Sequence, residues 1–319
     1  MVAPLRIASR GSQLALWQAH AVERALLAAD PGAEVRIDVV KTLGDKILDV
    51  PLAKIGDKGL FTKELDEALL SGAADLAVHS LKDVPTRLPH GLVIAAITVR
   101  EDPRDVLILA PGVTGSLAQL PAGARVGTSS LRRRAQLQAR RPDLEVLDLR
   151  GNLNTRLAKL DRGEYEGIIL AAAGVLRLGW EERISEILDP ADWLPAVGQG
   201  ALAIVARADD EAVLERLRPL EHAPTAAATT AERAFLRALE GGCQVPIGAL
   251  AELHDGRLTL HGLVASAGGD TILRSAIEGA PEEAAELGRS LAAGLLARGA
   301  GEVLAEIRRE VPAARPGQP

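Results

Sequence analysis

Three consecutive arginines, Arg132, Arg133 and Arg134, stand in the segment VGTSSLRRRAQL from Val126 to Leu137. The segment reads as a strand, a tight turn and a helix capped by Ser129 or Ser130, whose hydroxyl accepts a first-turn N–H. The helix dipole disfavours cations there, so three in a row imply an anion at the helix start. The plainer alternative is that one or two of them point into solvent. Arginine grips carboxylates and phosphates through paired hydrogen bonds. The design recurs in LDLRGNLNTR, where Arg150 ends a strand, Asn152 can cap a helix and Arg156 lies in its first turn. AAAGVLRLGW adds Arg177, and ASRGSQLALWQ puts Arg10 at a strand end and Ser12 at a helix start. Any one of these is explained by a surface salt bridge; four similar junctions are not. Between Arg125 and Arg156 there are eight arginines and three acids, in a chain of formal net charge -6. A general preference for arginine codons accounts for the overall usage but not for this concentration.

Other residues invite chemistry more weakly. VHSLKDVP places Lys82 and Asp83 after a buried strand, before a proline-bounded turn. A carboxylate among arginines can stabilise a cation developing on a substrate they hold; in isolation the pair is an ordinary turn. The stretch Lys41 to Leu60 has no clear periodicity and carries Lys46, Lys54 and Lys58, which suits a lid over an anion or a solvated loop. Cys243 lies in EGGCQVPIG. A lone cysteine is most often a small buried side chain, yet adjacent glycines allow the close approach an attachment point needs. The six histidines show no metal-ligand spacing, so no metal is expected. There is no phosphate-binding P-loop, dinucleotide fingerprint or serine-nucleophile elbow.

Alternating elements must position these residues. The periodicities predict strands at 5–8, 35–40, 76–78 and 92–97, with helices at 12–29 and 62–70. A second set follows EDPRD: strands at 106–109, 125–127, 146–149 and 168–171, with helices at 130–140 and 153–162. After a break at 195–200 comes a strand at 201–206. A helix at 226–239 then runs into GGC, followed by strands at 258–264 and 271–277 and a helix at 282–296. Such alternation implies mainly parallel sheets with helices on their faces, and ligands collect beyond the carboxyl ends of such strands. All the junction arginines fall on that edge. No apolar run is long enough for a membrane span, no secretory leader is evident, and one cysteine forbids an internal disulfide. These points favour the cytoplasm and no membrane partner. The acidic total disfavours a nucleic-acid binder built on the arginine cluster, as does an aromatic content of 2%, which leaves few stacking platforms.

Read in order, RIASRGSQLALWQA, KTLGDKILDVPLAKIGDKGLFTKELDEAL, DLAVHSLKDVPT, TVREDPRD, VGTSSLRRRAQL, LRGNLNTRL, VGQGALAI and ERAFLRALEGGCQVPIG resemble the porphobilinogen deaminase family over nearly all of residues 5 to 250. The resemblance implies an α/β fold: two periplasmic-binding-protein-like (type II) domains forming a cleft, plus a smaller C-terminal α+β domain. The expected division is 1–99 with 200–218, then 100–199, then 219–312 carrying the cysteine, and a flexible tail 313–319. It implies a dipyrromethane cofactor joined to Cys243 by a thioether. It also implies a transferase of tetrapyrrole and heme biosynthesis that condenses four porphobilinogen molecules, with loss of ammonia, and releases linear hydroxymethylbilane. By the same resemblance Asp83 is catalytic. Arg10, Ser12, Lys82, Ser130, Arg132, Arg133, Arg150, Arg156 and Arg177 hold carboxylates, and Gln18 and Gln199 line the cleft. Lys54, Lys58 and Phe61 belong to a mobile loop. A monomer that hands its product to the next enzyme of the pathway is implied as well. The competing reading is a cytosolic two-lobed binding protein for an anionic small molecule, which the extra cysteine-bearing segment disfavours.

Overall fold

The computed structural model describes residues 4–42, 62–239 and 245–310. Lys46, Lys54, Lys58, Phe61, Cys243 and the tail 313–319 lie outside them. The described chain forms two compact units, one of residues 4–42, 62–101 and 200–226, the other of 102–199, 227–239 and 245–310.

The first unit is built on a five-stranded sheet of order β2-β1-β3-β10-β4, with β1 Leu5–Ser9, β2 Val35–Val39, β3 Leu76–Ser80, β4 Leu92–Ile97 and β10 Leu202–Arg207. β1 runs parallel to β2 and β3, whereas β10 is antiparallel to β3 and β4. The central strands β3 (LAVHS) and β10 (LAIVAR) are buried almost throughout, as strands covered on both faces must be. Helix α1, Gln13–Ala29, presents Gln18, Ala19, Val22 and Leu26 as its buried stripe. Ser12 caps it through a side chain that accepts from the Ala15 N–H, and Pro31 follows its end. Helix α2, Lys63–Leu70, packs Leu65 and Leu69 against Ala8, Ala77 and Val205.

The second unit repeats the order. Its sheet runs β7-β6-β8-β5-β9, with β5 Asp105–Leu109, β6 Arg125–Gly127, β7 Glu145–Leu147, β8 Gly167–Ala171 and β9 Glu186–Ile187. β5 is the antiparallel member here, entering just after the chain has left the first unit, as β10 enters just after it returns. Two sheets of the same strand order, each with one reversed strand supplied at a crossing, make up the type II binding-protein topology. Helices α3 (Leu131–Arg140), α4 (Leu153–Asp161) and α5 (Ala172–Arg177) follow β6, β7 and β8.

The same unit holds a separate three-stranded antiparallel sheet of β11 Ile247–His254, β12 Arg257–Ala265 and β13 Ile272–Gly279. Its core gathers Phe235 of helix α7 (Ala223–Ala238), Leu291 and Leu295 of α8 (Ala284–Leu295), and Leu304 of α9 (Gly301–Glu310). A helix α6 at Glu211–Leu217 also forms. The periodicities did not indicate β9, β11, α5, α6 or α9. This third sheet docks on α3: Leu250, Leu263 and Ala265 join Ala135 and Leu194 in one buried cluster. At Gly269 (φ +78°) a Cβ would stand 2.2 Å from the Ala135 carbonyl oxygen, so only glycine fits the turn that meets the helix.

Candidate functional site

In the first unit, β1 and β3 end on the same sheet edge. Arg10 follows β1, and Lys82 and Asp83 occupy a single 3-10 turn, Leu81–Asp83, directly after β3. Buried Leu81 and Val84 pin that turn from both sides, and the Leu81 N–H donates to the Ala201 carbonyl. Asp83 is thereby held exposed, with no partner among the described residues. Gln18, buried on α1, donates to the Ser80 hydroxyl at 2.9 Å.

His79 lies one residue back in β3, 6% exposed, and its Nε2 has no hydrogen-bond partner among the described residues. Burial, helped by the charge of Arg10, lowers its pKa to about 4. The native imidazole is therefore neutral, while an unfolded chain takes up the proton near 6.5. The stability this contributes is complete above pH 6.5 and is lost as pH falls from 6.5 to about 4. The loss is on the order of 3 kcal/mol. Urea unfolding of His79→Phe is expected to show a shallower fall over that range than the unsubstituted protein; equal falls would refute the assignment.

In the second unit, the expected anion site takes a definite form. Ser130 is the cap of α3, accepting from the Arg133 N–H at 3.4 Å; Ser129 instead bonds the Leu149 backbone. Arg132 and Arg133 turn inward and are 4% and 6% exposed. The anion between them comes from the chain itself. Asp105, wholly buried at the head of β5, accepts from Arg132 Nη1 and from Arg133 Nη2, each at 2.7 Å. The sequence reading looked for a ligand anion in that place, and the structure adds an internal carboxylate that both guanidinium groups share. Burial by itself would raise the Asp105 pKa, but the two guanidinium charges and their hydrogen bonds outweigh it and hold the acid well below the carboxylate range. Burial lowers that of Arg132 despite Asp105. Arg134 leans outward toward the Val146 carbonyl and Asp148.

Three further arginines follow the ends of β7 and β8 along the chain. Arg150 is half-buried beyond β7, with its pKa lowered by burial. Asn152 caps α4 by accepting from the Thr155 N–H at 3.0 Å, and Arg156 Nε donates to the Gly151 carbonyl at 2.8 Å. Arg177 closes α5, 8% exposed. Gln199, fully buried, donates through Nε2 to Asp105 Oδ1 at 2.7 Å and to the Pro103 carbonyl at 2.8 Å. The sequence reading missed Asp105, Trp193 (whose Nε1 donates to Asp105 at 2.8 Å) and Gln136. Gln136 donates to the Leu194 carbonyl and accepts from the Leu194 N–H. An acid heading the otherwise apolar strand DVLIL was the available signal for the first.

Each of the two α/β units carries cations at its carboxyl strand edge, an arrangement of the class suited to small anionic molecules. Residues 5–215 match the family domain described as Porphobilinogen deaminase, dipyromethane cofactor binding domain, and residues 226–297 match Porphobilinogen deaminase, C-terminal domain. Porphobilinogen deaminase of Syntrophobacter fumaroxidans is 55% identical over 305 residues, 96% of this chain and 98% of that protein. That of Moorella thermoacetica is 57% identical over 306 residues, 96% and 97% of the two chains. The chain belongs to the porphobilinogen deaminase family. Among solved structures, the Bordetella pertussis BvgS periplasmic VFT2 domain aligns with a TM-score of 0.42 at 16% identity, covering 68% of this chain and 86% of that one. A Salmonella typhimurium periplasmic binding protein with high arginine specificity aligns with a TM-score of 0.40 at 16% identity, covering 69% and 92%. Among the described residues no helix is long and apolar enough to cross a membrane, and no group of metal-ligating side chains occurs.

The donor set fits a pyrrole-carboxylate cofactor. Guanidinium groups at successive strand ends suit acetate and propionate side chains, and the buried Nε–H of Arg133 has no acceptor among the described residues.

Proposed function

We propose that this chain is a transferase that condenses four porphobilinogen molecules head to tail on a dipyrromethane joined to Cys243, releasing ammonia at each addition and linear hydroxymethylbilane at the end. The observation that carries the reading is the row of arginines at the strand edge of the second unit, in a chain 55% identical to a porphobilinogen deaminase over 96% of its length. When bound, the dipyrromethane would supply an electron-rich pyrrole carbon as the nucleophile for each addition.

The protein's residues divide the remaining work. Arg10, Ser12, Lys82, Ser130, Arg132, Arg133, Arg150, Arg156 and Arg177 hold acetate and propionate groups, whose burial without such partners would be costly. Ser12 and Ser130 serve as caps and still have a hydroxyl proton to donate. Asp83, presented on its pinned turn, hydrogen-bonds pyrrole N–H groups and stabilises the positive charge that develops on the substrate methylene carbon as its bond to the amine breaks. Gln18 and Gln199 hold neighbouring polar groups in place. Residues 219–312 act as a third, cysteine-bearing domain, separate in function from 100–199. The thiol must stay free to be alkylated, which suits the reducing cytoplasm. The protein works as a monomer and passes its product to the next enzyme of the pathway.

Intact-mass measurement tests this directly. The purified protein should be heavier than its sequence by two linked pyrroles, with the excess on the Cys243 peptide. A fully active protein of unmodified mass would refute the proposal.

A further inference from the structure

Asp105 is saturated in an unusual way for an acid that no mechanism uses. Oδ1 accepts from Arg133 Nη2 and Gln199 Nε2, each at 2.7 Å. Oδ2 accepts from Arg132 Nη1 at 2.7 Å and Trp193 Nε1 at 2.8 Å. The backbone completes the array, because Arg132 Nη1 also donates to the Leu194 carbonyl at 2.7 Å and Arg133 Nη1 to that of Ile169 at 2.9 Å. Each guanidinium is thus fixed by one shared carboxylate and one carbonyl.

A purely structural ion pair would balance its charges, since an uncompensated buried charge is costly. Here two guanidinium groups, both more than nine-tenths buried, face one carboxylate among the described residues, leaving a single positive charge in excess there. The Nε–H of Arg133 is also left without an acceptor among the described residues. An arrangement one anion short, with a donor to spare, is prepared for a second carboxylate.

We infer that Asp105 is the positioning residue of the carboxylate grip: its two oxygens, shared between Arg132 and Arg133 and steadied by Trp193 and Gln199, hold both guanidinium groups in register for a substrate carboxylate. The inference rests on the functional reading above. It assigns Asp105 no contact with the reacting atoms.

Steady-state kinetics with porphobilinogen on the cofactor-loaded protein provide the test, alongside intact mass and Tm. Asp105→Asn keeps the shape and removes the charge. Its KM should rise on the order of 100-fold, the effect of a small misplacement at a binding group, with a much smaller change in kcat. Trp193→Phe keeps the ring and removes one of the four donors. Its KM should rise by about tenfold, the loss of one hydrogen bond to a charged acceptor. Leu160→Ala, a fully buried core position of the same unit, is the control: it should lower Tm and leave KM alone. If Asp105→Asn does not fold, Trp193→Phe decides the matter. The inference is overturned if the folded variants keep the original KM, or if Leu160→Ala shifts KM as far as they do. If the unsubstituted protein itself carries no added pyrrole mass and does not turn over, the functional reading fails first, which separates the two failures.

Discussion

Asp83→Asn is expected to retain the fold and the added pyrrole mass while turnover falls by about 10²- to 10³-fold, the usual loss when one preorganised electrostatic partner of a transition state is removed. The turn that carries Asp83 is held by Leu81 and Val84, at 1% and 3% exposure, and neither anchor involves the carboxylate. Asparagine has the same outline and keeps one acceptor oxygen, so binding of pyrrole N–H groups should survive in part. What disappears is the negative charge that answers the cation formed when ammonia departs. The loss should therefore appear in kcat at saturating porphobilinogen, with KM nearly unchanged. A rate within a few-fold of the unsubstituted protein would remove Asp83 from the chemistry.

Glu232→Ala is expected to destabilise the protein by about 4 kcal/mol, from two buried N–H groups left unsatisfied at roughly 1–3 kcal/mol each. Glu232 is fully buried on α7. It accepts from the Gly198 N–H at 2.7 Å through one oxygen and from the Ala251 N–H at 2.8 Å through the other. One side chain thus ties the segment before Gln199 to strand β11. Glu232→Gln retains a single acceptor and should fall between. Urea unfolding at neutral pH measures both; a Glu232→Ala loss under about 1 kcal/mol would show that water replaces the carboxylate.

Local chemistry was legible in the sequence wherever partners lie within a turn. Ser12, Ser130 and Asn152 could be assigned as caps, or one of two candidates for the cap, because each bonds an N–H three residues on. The strands that apolar runs did indicate were placed to within a residue or two. Asp105 was not legible, because its partners lie 27, 28, 88 and 94 residues away. Glu232 left a trace that went unread: it sits on the stripe of Ala228, Ala231 and Phe235, where an acid has no place unless it is bonded. Strand order escaped for a different reason. β5 and β10 look like any other buried strand, and only the way the chain crosses makes them run backwards.

That crossing has a consequence for how the polypeptide matures on the ribosome. Every strand of the second unit's large sheet lies between residues 105 and 187, whereas the first unit waits for residues 202–207 to fill the gap between β3 and β4. The part synthesised later can close its sheet while the part synthesised earlier is still open. Nascent chains that have emerged through Ile187 but not yet through Leu202 would present chaperones with a closed second sheet and an unfinished first one, the reverse of the N-terminal-first order usual for multidomain proteins.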